Sequence, residues 1–221
     1  YVQRYVDLPD EQRKAYEQLK ITALMTLQDA EVSYNNKLTE LLKLQQVANG
    51  FVKTNEGDIV DFKTNAKLTE LMNIIGETED KCIIWANYVH NIEGIKKKLA
   101  ETYGVDSAVS IYGKDSVDAR NKAVEKFQNN DECRFLVGNP TVGGYGLTLT
   151  AAKYVIYFSN SYNLEVRQQS EDRAHRIGQK SQVTYIDIIC RDTIDEMVLH
   201  NLENKIELSA KTLGEQVQKW L

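Results

Sequence analysis

Proline is nearly absent from these 221 residues, with only Pro9 and Pro140 present. Proline removes a backbone donor and breaks helices, so its scarcity predicts long, rarely interrupted helices. Cysteine is as sparse. Cys82, Cys133 and Cys190 are odd in number, far apart, and each falls in or beside an apolar run. That pattern speaks against a disulfide scaffold and predicts buried, reduced thiols in a reducing compartment. His90, His175 and His200 stand singly, so no metal-ligand spacing appears and no metal site is expected in this chain. No apolar stretch approaches the length of a membrane span and no signal peptide opens the chain, so no membrane partner is expected. The first residue is Tyr1 rather than methionine, so we expect a piece of something longer, or a processed chain.

What is present is the material of a packed domain. Hydrophobic residues make up 42% and charged residues 27%, which sets global disorder aside. The length allows one large domain, or one domain with a helical appendage. The net charge of -5 argues against a generic polyanion binder but leaves room for a local basic groove.

Periodicity divides the chain into three. Residues 1–64 read as a helical accessory segment. A helix starts at Leu8-Pro9-Asp10-Glu11, with proline and acids in its first turn, and carries Tyr16, Leu19, Ala23 and Leu27 at helical spacing. A second helix runs through Leu38, Leu41, Leu42, Gln45 and Ala48 to a stop at Asn49-Gly50. Residues 51–64 are expected to be irregular, with a turn at Asn55 to Asp58. Residues 65–191 alternate short apolar runs with helical patterns. Strands are expected at Cys82 to Ala86, Val109 to Tyr112, Phe135 to Val137, Tyr154 to Phe158 and Val183 to Ile189. Helices are expected around Leu68 to Ile75, Val89 to Leu99 with a basic face at Lys96 to Lys98, Asp115 to Phe127, and Asn163 to His175. This alternation implies an α/β fold, a parallel sheet flanked by helices. Residues 192–221 read as one long helix with a stripe from Ile194 to Leu221.

Ligands of open α/β sheets gather at the carboxyl ends of the strands. The loops there are candidates: Asn87 and Tyr88 after the first of these strands, Gly113 and Lys114 after the second, and Thr141 with Gly143, Gly144 and Gly146 after the third. Glycines permit positive φ and close backbone approach, and their amides can cradle phosphate, although a glycine cluster is also an ordinary tight turn. Lys114 also fits a solvated loop lysine. Beyond them lies the run Arg167-Gln168-Gln169-Ser170-Glu171-Asp172-Arg173-Ala174-His175-Arg176-Ile177-Gly178-Gln179. Arg173 and Arg176 are spaced to share a helix face, where two guanidinium forks suit a polyphosphate, or equally a surface ion-pair helix. His175 reads as a packing or surface residue rather than a catalyst.

Two further matches are set aside. Gly113-Lys114-Asp115-Ser116 lacks the upstream glycine of a phosphate loop, and Asp131-Glu132-Cys133-Arg134 precedes a strand rather than ending one.

Taken in order, Lys67-Leu68, Cys82 to Ala86, Ser110 to Lys114, Gly143 to Ala152 and the arginine run resemble the second RecA-like lobe of the Swi/Snf-type DNA translocases, within helicase superfamily two. The likeness covers nearly the whole chain. Gly143 to Ala152 resembles the fifth motif of that family and Gln169 to Gln179 its sixth. Leu41 to Val47 resembles the helix before the lobe, and the terminal helix resembles the brace running back toward the first lobe. His175-Arg176-Ile177-Gly178 also looks like the H-R-I-G-R-x-x-R of DEAD-box RNA helicases, but Gln179-Lys180-Ser181-Gln182 lacks the arginines. The better superposition sets Gln169, Asp172, Arg173 and Arg176 on Q-x-x-G-R-x-x-R, with Asp172 replacing the glycine.

The resemblance implies a RecA-like sheet with an N-terminal helical segment and a long C-terminal helix. It implies that Arg173 and Arg176 act as arginine fingers, that Gly144, Gly146 and Gln169 join them around the nucleotide, and that ATP and Mg²⁺ sit mainly on the first lobe. It implies that Asn87, Tyr88, Gly113, Lys114, Thr141 and Gly143 contact the backbone of double-stranded DNA. A fragment without the first lobe would not hydrolyse ATP alone. The expected partners are duplex DNA and the N-terminal RecA-like lobe of the same protein, in a monomer. The expected location is the cytoplasm of a bacterium or bacterial host, or the nucleus in a eukaryote. Asn160-Ser161-Tyr162-Asn163 departs from the acidic residue and Trp-Asn common in the family, which leaves that loop's coupling role open. A non-catalytic RecA-like binding or scaffold module remains the competing reading, and an RNA helicase lobe a disfavoured one.

Overall fold

The computed structural model describes residues 1–28, 34–142, 146–175 and 182–204. In chain order its main elements are β1 (Val2–Val6), α1 (Asp10–Gln28), α2 (Tyr34–Ala48), β2 (Phe51–Lys53), β3 (Ile59–Asp61), α3 (Ala66–Gly76), β4 (Cys82–Trp85), α4 (Val89–Tyr103), β5 (Ala108–Ile111), α5 (Val117–Asn129), β6 (Phe135–Gly138), β7 (Tyr154–Tyr157), α6 (Leu164–Ala174), β8 (Thr184–Cys190) and α7 (Ile194–Glu203). The chain divides into two compact units. One comprises residues 1–4 and 70–188, the other residues 5–69 and 189–221.

The first unit is built on a six-stranded sheet in the order β1-β8-β7-β4-β6-β5. The neighbours from β5 to β8 pair in parallel. A parallel strand is covered on both faces, so its sequence must be apolar throughout. β4 (Cys-Ile-Ile-Trp) and β6 (Phe-Leu-Val-Gly) meet that demand, with every residue buried. Register places Gly138 beside both Trp85 and Ile111. A Cβ there would lie 2.6 Å from Ile111 Cγ1 and 2.9 Å from the Ile111 carbonyl oxygen, so only glycine fits between the two strands. Ile83, Trp85, Ile111, Phe127, Leu136, Leu149 and Tyr157 belong to one buried cluster.

The second unit is helical with a small hairpin. Tyr16 and Ala23 of α1, Leu41, Leu44 and Val47 of α2, and Ile194, Met197 and Val198 of α7 are buried. Lys67, 1% exposed, forms a 2.5 Å ion pair with Asp195 and donates to Asn49 Oδ1 at 3.2 Å. The Tyr16 hydroxyl accepts from the Ile194 amide at 2.7 Å, which fixes the first turn of α7.

The RecA-like α/β architecture anticipated from the sequence is the one found. Two features were not anticipated. The first residues form β1, and the stretch expected to be irregular contains the antiparallel pair β2–β3, closed by a turn in which Gly57 N donates to Thr54 O. All three strands carry exposed positions, so no continuous apolar run announces them. The terminal helix is described to Glu203. The stripe beyond it, from Ile206 to Leu221, lies outside the described residues, as do the side chains of Leu27 and Leu38. No described helix is long and apolar enough to cross a membrane.

Candidate functional site

The parallel register aligns Trp85, Gly138, Ile111 and Tyr157 near the carboxyl ends of four strands, so the loops that follow emerge along one edge of the sheet. That edge is cross-braced. Asn139 donates from Nδ2 to the Asn87 carbonyl at 2.9 Å, and its Oδ1 accepts from the Thr141 amide at 2.9 Å. The Asn87 amide donates to Ser159 Oγ at 2.9 Å. The loops after β4, β6 and β7 are therefore tied to one another. Sequence pattern alone assigns no role to Asn139 or Ser159. An asparagine directly after a buried strand and before Pro140 was the available signal, because Asn side chains bond their own turn.

The sequence-predicted contacts occupy this edge. Asn87 and Tyr88 are half-buried, while Gly113, Lys114 and Thr141 are exposed. The amides of Asn87 and Thr141 are engaged internally. Tyr88 is the N-cap of α4 and supplies no side-chain cap, and it brings the positive end of a 15-residue helix to the edge. The loop around Gly113 is held by the Tyr112 amide donating to Asp115 Oδ2 at 2.7 Å, and a Cβ on Gly113 would meet nothing. Gly143 and Gly144 lie outside the described residues. Gly146 adopts φ +74°, a left-handed conformation that favours glycine.

α6 carries the arginine run. Asn163 caps it by accepting from the Val166 amide at 3.1 Å, and it ends at Ala174. The Leu149 amide donates to the Arg173 carbonyl at 3.0 Å, so the end of the glycine-rich segment is bonded to the arginine-bearing turn. Leu149, Ala152 and Ala174 share one buried cluster. Arg173 is half-buried there, and Gln169 lies one turn earlier with its amide donating to Glu165 at 2.8 Å. His175 is exposed at the helix end. Arg176 lies outside the described residues, so its expected helix face with Arg173 does too.

The third arginine of the run, Arg167, has no role that its spacing reveals. It is buried and forms a fork on Asp187, with Nη1–Oδ1 at 2.6 Å and Nη2–Oδ2 at 3.0 Å. Its Nε donates to Glu171 Oε1 at 2.6 Å, and Nη1 also donates to Asn160 Oδ1 at 2.8 Å. Asn160 in turn donates from Nδ2 to Asp187 Oδ1 at 2.7 Å. The guanidinium lies over the Tyr157 ring at 3.5 Å. Burial alone would pull the Arg167 pKa down, but the hydrogen bonds and charge of Asp187 reverse that and raise it, so the cation is firmly held. Burial raises the Tyr157 pKa and keeps it protonated, bonded to Ser170 Oγ at 2.7 Å.

Cys82, Cys133 and Cys190 are buried and unbridged, as expected. Burial pushes the thiols of Cys82 and Cys190 up to about 12, which makes them inert at neutral pH. Among the described residues no group of three His, Cys, Asp or Glu could hold a metal ion.

A parallel sheet with braced loops at its carboxyl edge, and an arginine-bearing helix bonded to the glycine segment, defines a RecA-like lobe. The chain belongs to the family described as the helicase conserved C-terminal domain, whose model matches residues 65–178. It is similar to the C-terminal lobes of Swi2/Snf2-type ATPases. It is 35% identical over 217 residues to an uncharacterised ATP-dependent helicase of Mycoplasma genitalium, covering 96% of this chain and 21% of that protein. It superposes on the Sulfolobus solfataricus SWI2/SNF2 ATPase core in complex with dsDNA with TM-score 0.76 and 25% identity, covering 99% of this chain and 47% of that one. The Sulfolobus solfataricus SWI2/SNF2 ATPase C-terminal domain gives TM-score 0.73 at 22% identity, covering 99% and 93%. The chain spans about a fifth to a quarter of the length of the bacterial relatives it matches, and about a tenth or less of the chromatin-remodelling relatives.

Proposed function

We propose that this lobe is the second half of an ATP-dependent motor that moves along double-stranded DNA. Arg173 and Arg176 reach the γ-phosphate of an ATP held mainly by the first lobe, with Gly144, Gly146 and Gln169 beside them. In phosphoryl transfer negative charge spreads over the transferred oxygens, and an arginine placed there stabilises it by a factor of about 10³–10⁵ in rate. Mg²⁺, also held mainly by the first lobe, would supply positive charge that offsets the charge of the phosphates. The residues present suit that chemistry. Arg173 supplies a cation in the last turn of the helix, and Gly146 supplies a left-handed backbone at φ +74°.

The DNA backbone lies along the strand-end edge, against Asn87, Tyr88, Gly113, Lys114, Thr141 and Gly143. The positive end of a helix and side-chain donors suit phosphate contacts, which position without reading sequence. Closure of the two lobes on ATP and opening after hydrolysis would carry this edge along the strand. The observation that carries the proposal is the bond from the Leu149 amide to the Arg173 carbonyl, because it unites the glycine segment and the arginine helix at one place.

The test is Arg176→Ala in the full-length protein. We expect duplex-DNA-stimulated ATP turnover to fall by about 10³-fold or more, with little change in DNA affinity. Near-normal turnover would sink the assignment, and stimulation by RNA in place of duplex DNA would redirect it.

A further inference from the structure

We propose that Ser159, Asn160 and Arg167 form a positioning relay that transmits engagement of the DNA-facing edge to α6, and so to Arg173. It rests on the function proposed above and names how its two sites communicate. The relay is continuous. The Asn87 amide donates to Ser159 Oγ at 2.9 Å, and the Asn87 carbonyl accepts from Asn139 at 2.9 Å. Asn160, the next residue after Ser159, uses both ends of its amide. Its Nδ2 donates to Asp187 and its Oδ1 accepts from Arg167. Arg167 then grips α6 from within through Glu171, four residues on and two before Arg173.

The grip leaves α6 little slack. Glu171 accepts from the Tyr1 hydroxyl at 3.0 Å through its second oxygen, and its carbonyl accepts from the Tyr185 hydroxyl at 3.1 Å. Ser170 is held by Tyr157 at 2.7 Å. Positions 167, 170 and 171 are thus fixed on the face toward β7 and β8, and Arg173 follows directly.

A buried ion pair is a poor way to gain stability, because stripping water from two charges costs about as much as their attraction returns. Apolar residues would hold α6 on the sheet as well. What the fork adds is direction: a planar guanidinium donates to its partners in one arrangement. Anchoring α6 alone would require only Arg167 and Asp187. The amide of Asn160, inserted across both, adds the loop after β7 to the same unit.

The experiment uses the full-length protein with Ser159→Ala and Asn160→Ala, which leave the Arg167–Asp187 pair intact. The readout is the ratio of ATP turnover at saturating duplex DNA to turnover without DNA. We expect this ratio to fall by about threefold to thirtyfold in each variant, while DNA-free turnover, KM for ATP and the Kd for duplex DNA by fluorescence anisotropy stay within about twofold. A ratio unchanged in both variants overturns the relay, as does a fall that merely follows DNA-free turnover or melting temperature. Stimulation intact in these variants but lost in Arg176→Ala overturns the relay alone. A wild-type protein indifferent to duplex DNA overturns the functional reading and the relay with it.

Discussion

Two buried ion pairs of similar chemistry occupy the two units. In the sheet unit Arg167 meets Asp187; in the helical unit Lys67 meets Asp195. Lys67 is held within the helical unit: Asn49 Oδ1 accepts from it, Asn49 Nδ2 donates to the Gln45 carbonyl, and the Asp195 carboxylate accepts from the Cys190 amide. Arg167 opens outward instead, through Asn160 to a strand-end loop and through Glu171 along α6. The same device therefore serves two ends. A compact ammonium as a point charge suits a knot that joins the start of α3 to α7, whereas a planar fork suits a junction where several elements must keep their directions.

The comparison breaks most visibly at the lysine. Lys67→Met leaves the Asp195 carboxylate buried without its cation and is expected to destabilise the chain by about 3–5 kcal/mol in urea unfolding. Adding Asp195→Leu should recover most of that loss, because an apolar pair of similar volume is often neutral. In the full-length protein the double variant should keep its DNA stimulation ratio, unlike Ser159→Ala and Asn160→Ala. A double variant that stays folded but loses the ratio would show that both knots, not one, report to the motor.

The smallest expected effect lies on α4, at the same edge. Gly94 is exposed in the middle of the helix, and a Cβ there would meet nothing. Glycine in a helix interior costs about 0.5–1 kcal/mol relative to alanine, so Gly94→Ala should stabilise the chain by that amount in the same unfolding measurement. A destabilisation would mean that the helix needs local freedom there.

The sequence made the sheet legible because buried parallel strands must be apolar at every position, as Cys82 to Trp85 and Phe135 to Gly138 are. It hid β1 and the β2–β3 hairpin because their exposed positions read as loop. The loops at the strand ends could be placed from strand order alone. The roles of the arginines could not be separated that way, since Arg167 and Arg173 sit in one run and differ only in what lies beneath them. One signal was present and unused. Asp187 interrupts the buried strand Tyr-Ile-Asp-Ile-Ile-Cys, and a buried carboxylate requires a cation nearby. The loop asparagines were hidden for a related reason: their partners come from segments distant in the chain, as with Asn139 and Asn87.

The proposed function turns on α6 acting at its Arg173 end. The most direct measurement is single-turnover ATP hydrolysis by full-length Arg173→Ala at saturating duplex DNA, with the melting temperature taken alongside. Hydrolysis should slow by about 10³-fold or more with an unchanged melting temperature. Hydrolysis near the wild-type rate, or a loss that merely follows unfolding, would contradict the assignment of Arg173 to the nucleotide.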